Sequence, residues 1–144
     1  MKNNIEKIVI GEKLEDRKYD FRETCFGICI RNGKMLLVKK SEQYSFIGGG
    51  LEKNETHEEC LKREFIEEVN LKIQVNNIIY CNSKVYKGEI IITMIFNVKL
   101  DGELSNIKNN PEEHSELKFI SSYEDIKGKL IFYLEDLKNY NDLQ

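Results

Sequence analysis

No apolar run in this sequence approaches the length that spans a bilayer. Residues 1–20 mix Lys with Glu and Asp around the short run Ile8-Val9-Ile10, unlike a secretory leader, so the expected compartment is the cytoplasm. Cysteine is sparse and badly spaced for thiolate chemistry. Cys25, Cys29, Cys60 and Cys81 form no CxxC pair, which argues against a structural metal-thiolate site and against a small disulfide scaffold. Cys25 and Cys29 fall in an apolar, strand-like run, where cysteine acts as a small hydrophobe. Proline occurs once, at Pro111, and positive charge is in deficit, with 22 Lys and Arg against 25 Asp and Glu and a net charge of -3. Such a chain exerts no general pull on a nucleic-acid backbone. A polyphosphate ligand would need local devices instead: a bound cation, a few placed Lys or Arg, or backbone amides. Repeats, low-complexity tracts and linkers are also absent, and 144 residues suffice for one domain, 1–144, with its own core. At 40% hydrophobic and 33% charged, the composition is neither that of a disordered chain nor that of a membrane protein.

What is present reads as mixed α and β. Residues 22–30 alternate, with Phe26, Ile28 and Ile30 on one face and Cys25, Gly27 and Cys29 on the other. Asn32-Gly33 then predicts a tight hairpin turn, since both residues tolerate positive φ, and residues 35–38 return as the second strand. Residues 71–86 are strand-rich, residues 89–100 alternate cleanly, and residues 117–120 form a further short strand. Leu130, Leu134 and Leu137 recur at helical spacing near the C-terminus. Strands outnumber helices, which predicts a mixed sheet flanked by helices.

The chemistry concentrates in residues 49–71, GGLEKNETHEECLKREFIEEVNL. Thr56 followed three residues later by Glu59 is a capping box, which opens a helix over about 56–69. Leu61, Phe65 and Val69 share one stripe of it, while Glu64, Glu67 and Glu68 share a neighbouring face. Like charges at i, i+4 cost a helix roughly 0.2–0.5 kcal/mol per pair. The plain reading is a solvated acidic face, partly neutralised by Lys62 and Arg63. The alternative is that three carboxylates on one face bind Mg²⁺ or Mn²⁺, hard cations that want oxygen ligands.

The wider spacing favours the second reading. Gly49, then Glu55, then Arg63-Glu64-Phe65, then Glu67-Glu68 and Leu71 resemble the Nudix box, which the chain matches at every position but Asn70, where the family has glycine. Asn is the commonest other residue able to close a helix in the left-handed conformation, so the exchange should cost little. Ile47 stands where the family often has proline, and Tyr44 where an aromatic residue is common.

The resemblance, to Nudix hydrolases of the MutT-like kind, implies an α/β (α+β) fold: an αβα sandwich with a mixed sheet between helices. It implies a pyrophosphohydrolase that cuts a phosphoanhydride bond in a nucleoside diphosphate joined to another group. Nucleoside triphosphates, nucleoside diphosphate sugars and dinucleoside polyphosphates are all candidates. It implies Mg²⁺ or Mn²⁺ held by Glu64, Glu67, Glu68 and the backbone carbonyl of Gly49, with Glu67 and Glu64 as the catalytic carboxylates and Glu67 the one to take the attacking water's proton. Glu55 and Arg63 resemble the pair that fastens the glycine loop to the helix. An acid from a later loop, Glu113 or Glu116 in residues 111–116, often joins the metal site in the family; a plain solvated loop is the other reading. Lys39 and Lys40, at a strand end, and Arg22 more weakly, match positions where basic residues touch phosphates, and Tyr44 is a further weak substrate-binding candidate; for the two lysines a plain solvated strand end is an equal reading. Two other functions stay open: a catalytically silent nucleotide-binding or sensor domain on the same fold, and an interaction module with an acidic surface helix. No nucleic acid or membrane partner is expected.

Overall fold

The computed structural model describes residues 7–10, 20–40, 42–108, 110 and 116–120. Among these described residues, eight strands form one mixed sheet: β1 (Lys7–Ile10), β2 (Asp20–Arg31), β3 (Lys34–Lys40), β4 (Gln43–Ser45), β5 (Ile47–Gly50), β6 (Ile73–Tyr86), β7 (Glu89–Leu100) and β8 (Glu116–Ile120). Its order is β1-β6-β7-β2-β3-β4, with β5 paired to β2 and β8 to β3. The β1/β6 and β2/β7 pairs are parallel and the rest antiparallel, which makes the sheet mixed as expected. One helix, α1 (His57–Val69), packs on one face. The repeat Leu130, Leu134, Leu137 lies outside the described residues.

Long β2 organises the site because its two ends serve different partners. Residues Thr24–Gly27 pair with Gly50–Ile47, and Ile30 and Arg31 pair with Met35 and Lys34. The turn between those strands is made by Asn32 at φ 54° and Gly33 at φ 73°, the left-handed values a tight hairpin requires. The alternation in β2 divides two cores. Cys25 and Cys29 join Leu61, Phe65 and Val69 beneath the helix, whereas Ile28, flanked by Phe26 and Ile30, joins Ile95 and Phe46 on the opposite face. Leu61, Phe65 and Val69 are all fully buried, so the helical stripe is the anchor of α1. Burying each is worth about 1.5–3 kcal/mol relative to exposure.

The helix ends are satisfied locally. The Thr56 hydroxyl accepts from Glu59 N at 3.1 Å, and Thr56 N donates back to Glu59 Oε1 at 3.2 Å. At the other end Asn70 is left-handed, φ 55° and ψ 43°, and its amide Nδ2 also donates to Asn106 O at 3.0 Å. None of the described helices is long and apolar enough to cross a membrane.

Candidate active site

β5 runs into the loop Leu51–Thr56, and α1 folds back over it, so the glycine run lies under the acidic side of the helix. The approach is close. A Cβ at Gly49 would meet Glu64 Oε1 at 2.6 Å, and one at Gly48 would meet Cys25 O at 2.1 Å. Gly48 N donates to Glu68 Oε2 at 3.1 Å. Glu68 is only 1% exposed, a depth that the i, i+4 pattern of the sequence could not disclose. The three carboxylates are therefore graded: the side chain of Glu64 is 13% exposed and that of Glu67 47%.

Arg63 ties this group together. Its Nε donates to Glu55 Oε2 at 2.7 Å and its Nη2 to Glu55 Oε1 at 2.9 Å, a bidentate pair of the strong charge-assisted kind. Nη2 also reaches Gly50 O at 3.2 Å, and Nη1 reaches Glu64 Oε1 at 2.9 Å and Glu67 Oε2 at 3.3 Å. The guanidinium holds the Glu55 carboxyl down at about 2, below its ordinary 4.5, and Glu55 in turn raises the pKa of Arg63. Glu52 N completes the loop by donating to Glu55 Oε1 at 3.0 Å.

Cys60 sits inside the same knot. Its Sγ lies 3.8 Å from Gly49 O, 3.7 Å from Gly50 O and 3.8 Å from Arg63 Nη2. The Cys25 thiol is held far above its usual range by its hydrogen bond with Cys60 and by burial, and burial pushes Cys29 up to about 11. None of the four cysteines is in a disulfide, and Cys25, Cys29 and Cys60 are buried as small hydrophobes.

The donor set suits a hard divalent cation: carboxylate oxygens and one backbone carbonyl, gathered where only glycine lets a carboxylate close on the main chain. Among the described residues, however, no three His, Cys, Asp or Glu side chains converge at ligand distance. Glu64 and Glu67 turn instead toward Arg63 Nη1, which occupies the position of positive charge between them.

The remaining sequence candidates are scattered. Lys39 pairs with Tyr44 in the β3/β4 register, its Nζ 6.0 Å from the centre of the ring, and Tyr44 is buried in the far core. The side chain of Lys40 and all of Glu113 lie outside the described residues. Glu116 is exposed on β8, opposite Lys39 in register. Arg22 is brought to the site: a Cβ at Gly50 would lie 3.7 Å from its Nε and Nη2. A cleft of about 830 Å³ opens there, lined by Phe21, Arg22, Glu23 and the loop from Gly50 to Glu55. Residues the sequence reading missed include the Gly48 amide and Asn110, whose Nδ2 donates to Glu67 O at 3.0 Å. Neither is a sequence-local contact.

The family model of the NUDIX domain matches residues 21–138. Among solved structures, a NUDIX hydrolase from Nitrosomonas europaea superposes with a TM-score of 0.74 at 20% identity, over 89% of this chain and 74% of that one. The E. coli ORF135 protein gives 0.71 at 22% identity, over 87% and 90%. A UDP-X diphosphatase gives 0.68 at 18% identity, over 89% and 66%. No curated protein matches the chain. These likenesses fix the fold, and the match over residues 21–138 fixes the lineage: the chain belongs to the Nudix family of pyrophosphohydrolases.

Proposed function

We propose that this protein is a cytoplasmic, divalent-cation-dependent hydrolase acting on a nucleoside diphosphate linked to a further group, with Glu64, Glu67, Glu68 and the Gly49 carbonyl as the cation's ligands. The observation that carries the reading is the seating of Glu64 and Glu68 directly on the Gly48-Gly49 backbone. A buried carboxylate accepting from a main-chain amide is an expensive arrangement unless its charge is used. A bound Mg²⁺ or Mn²⁺ supplies charge neutralisation at the phosphate oxygens and acidifies the attacking water.

The chain's own residues divide the remaining work. Glu68, held by Gly48 N, is the fixed acid, and Glu64 closes against Gly49. Glu67 is the exposed member and the one with access to solvent, so it is the candidate to take the proton from the attacking water. Arg63 keeps loop and helix in register through Glu55, and its Nη1 balances the charges of Glu64 and Glu67. The nearness of Arg22 to Gly50 supports a role for it in meeting a phosphate. The UDP-X diphosphatase among the similar structures supports a substrate of the NDP-X type.

The test is phosphate or nucleotide release from a panel of nucleoside triphosphates, nucleoside diphosphate sugars and dinucleoside polyphosphates, with Mg²⁺, with Mn²⁺ and with EDTA. Turnover that disappears on chelation is expected. Full turnover in EDTA would overturn the proposal, and cation binding without turnover would leave a silent nucleotide-binding domain.

A further inference from the structure

The last turn of α1 is fastened from outside the helix, and the fastening reaches Glu67. A helix leaves its last carbonyls without intrahelical donors. At this end the left-handed Asn70 redirects the chain. Asn70 N still donates to Ile66 O at 3.1 Å. Leu71 N, which a continuing helix would aim at Glu67 O, turns back to Phe65 O at 3.3 Å. The Glu67 carbonyl is left for another donor, and Asn110 supplies it, Nδ2 to O at 3.0 Å across 43 positions of sequence.

Asn110 does not arrive alone. β7 ends at Leu100, and the chain then makes one 3-10 turn, Leu104–Asn106, beside the helix end. Leu104 and Ile107 pack against the core cluster that holds Phe65 and Val69, which anchors the segment. From there every second residue meets the helix end. Asn106 O accepts from Asn70 Nδ2 at 3.0 Å, Lys108 N donates to Val69 O at 2.9 Å, and Asn110 completes the series at Glu67. The first two bonds close the cap. The third closes on the turn that carries the acids.

Glu67 is the carboxylate with most to gain from this. Glu68 is buried and held by Gly48 N, and Glu64 closes against the Gly49 backbone. The side chain of Glu67 is 47% exposed and is met by Arg63 Nη1 at 3.3 Å. Its direction therefore depends on how firmly its main chain is held. A neutral amide suits that task, because it fixes the carbonyl without adding charge beside a cation site. Firmness matters here: misplacing a reacting group by about 1 Å can cost about a hundredfold in rate.

Resting on the hydrolase reading above, in which Glu67 is a cation ligand and takes the water's proton, we propose that Asn110 is a positioning residue for Glu67. It acts through the main-chain carbonyl of Glu67 and sets the aim of the carboxylate from a distant segment of the chain.

The test is a double-mutant cycle in the full chain, with Asn110→Ala and Glu67→Gln made singly and together. Free Mn²⁺ is followed by electron paramagnetic resonance without substrate, and product release is followed with Mg²⁺. Asn110→Ala should weaken Mn²⁺ binding and slow release, each by about tenfold, the scale for loss of a ligand's support. In the Glu67→Gln background the same substitution should change neither by more than about twofold, because the carboxylate it positions is gone. Asn70→Gly gives up a bond at the same helix end but leaves Glu67 O paired, so it should keep both values within about twofold. Unchanged values in Asn110→Ala, an equal loss that persists without the Glu67 carboxylate, or an equal loss in Asn70→Gly would each overturn the proposal. Should Asn110→Ala fail to fold, Asn110→Leu, similar in shape to asparagine and without the donor, is read by the same criteria. The two readings fail separately. Mn²⁺ binding without release by the unmodified chain overturns the hydrolase, and the Mn²⁺ cycle then decides this inference. Release that Asn110→Ala leaves untouched overturns only this inference, and no Mn²⁺ binding by the unmodified chain overturns both.

Discussion

Arg63 and Glu55 meet edge to edge, Nε to Oε2 at 2.7 Å and Nη2 to Oε1 at 2.9 Å, joining the middle of the helix to the end of the glycine loop. Arg63 lies eight positions after Glu55, and everything between is the Thr56 cap and nearly two turns of the helix. Removing the guanidinium should therefore loosen loop and helix together. Arg63→Ala should lose about 2 kcal/mol of stability, the scale of charge-assisted bonds at a largely buried pair, and lose activity with it. Arg63→Lys keeps the charge but not the fork, so it should recover less than half of the loss. Urea denaturation checks both, and a full recovery by lysine would mean that charge alone matters there.

The pair also fixes a pH dependence. Glu55 titrates at about 2 in the folded chain against an ordinary 4.5, chiefly because Arg63 hydrogen-bonds its charged form. A depressed carboxyl contributes stability that is complete above its unfolded value and is lost as pH falls toward its folded value. Stability relative to Glu55→Gln should therefore be constant at neutral pH and should shrink as pH drops from 4.5 toward 2. Denaturation curves of both chains between about pH 3 and about pH 7 measure it. A gap as wide at the acid end as at neutrality would mean that the Glu55 charge does not carry the contact.

Much of this was legible in the sequence where the cause is local. The Thr56/Glu59 cap, the Asn32-Gly33 turn and the Leu61, Phe65, Val69 stripe each depend on residues within a turn or two of one another, and each is found. Strand β5 escaped notice because Gly48-Gly49-Gly50 offers no alternation to read. Periodicity placed Glu64, Glu67 and Glu68 on one face but gave no depth, and depth is what separates buried Glu68 from exposed Glu67. Lys39 lies over Tyr44 through the β3/β4 pairing, a neighbour that nothing near Lys39 in the sequence encodes. The side-by-side placing of Thr24, Thr93 and Asn82 on β2, β7 and β6 exists only through register between strands far apart in sequence.

Asn70 offers a test of the helix end. Its φ of 55° is one that Gly adopts freely and Asn tolerates. Asn70→Gly gives up the bond to Asn106 O, so stability should change by no more than about 1 kcal/mol. Asn70→Val must hold a β-branched residue in the left-handed region, costing about 1–3 kcal/mol. Melting temperatures of the two variants decide, and equal tolerance of Val would contradict the observed cap.

The two inner glycines should part company on substitution. Alanine at Gly48 would drive its Cβ to 2.1 Å from Cys25 O and 2.6 Å from Phe26 Cα, both fixed backbone, so the variant should not fold. Alanine at Gly49 meets only the end of Glu64, at 2.6 Å, and that side chain can swing aside. Gly49→Ala should keep its fold but bind Mn²⁺ about tenfold more weakly, the scale seen when a ligand's support is disturbed. Electron paramagnetic resonance of free Mn²⁺ reads the second effect and circular dichroism the first. A folded Gly48→Ala would contradict the β2/β5 register.

The carboxylates themselves supply the last prediction. Glutamine at 64, 67 or 68 keeps size and one acceptor oxygen while deleting the charge that would hold a cation. Each variant should lose about a hundredfold or more in rate, as when a preorganised charge is removed from an active site. Stability without metal should then sort by depth. Glu67→Gln sacrifices only an exposed i, i+4 contact with Arg63, worth roughly 0.3–0.5 kcal/mol. Glu68→Gln removes a charge that is 1% exposed while keeping an acceptor for Gly48 N, so its metal-free melting temperature should hold or rise. A cation that binds only the folded chain raises the melting temperature by mass action. The unmodified chain should therefore melt higher with Mg²⁺, and the three variants should lose most of that rise. Calorimetry with Mg²⁺ and with EDTA on all four chains gives both numbers. If the variants kept the rise and the rates, the cation would sit elsewhere, and Glu64, Glu67 and Glu68 would be only the acidic side of a well-anchored helix.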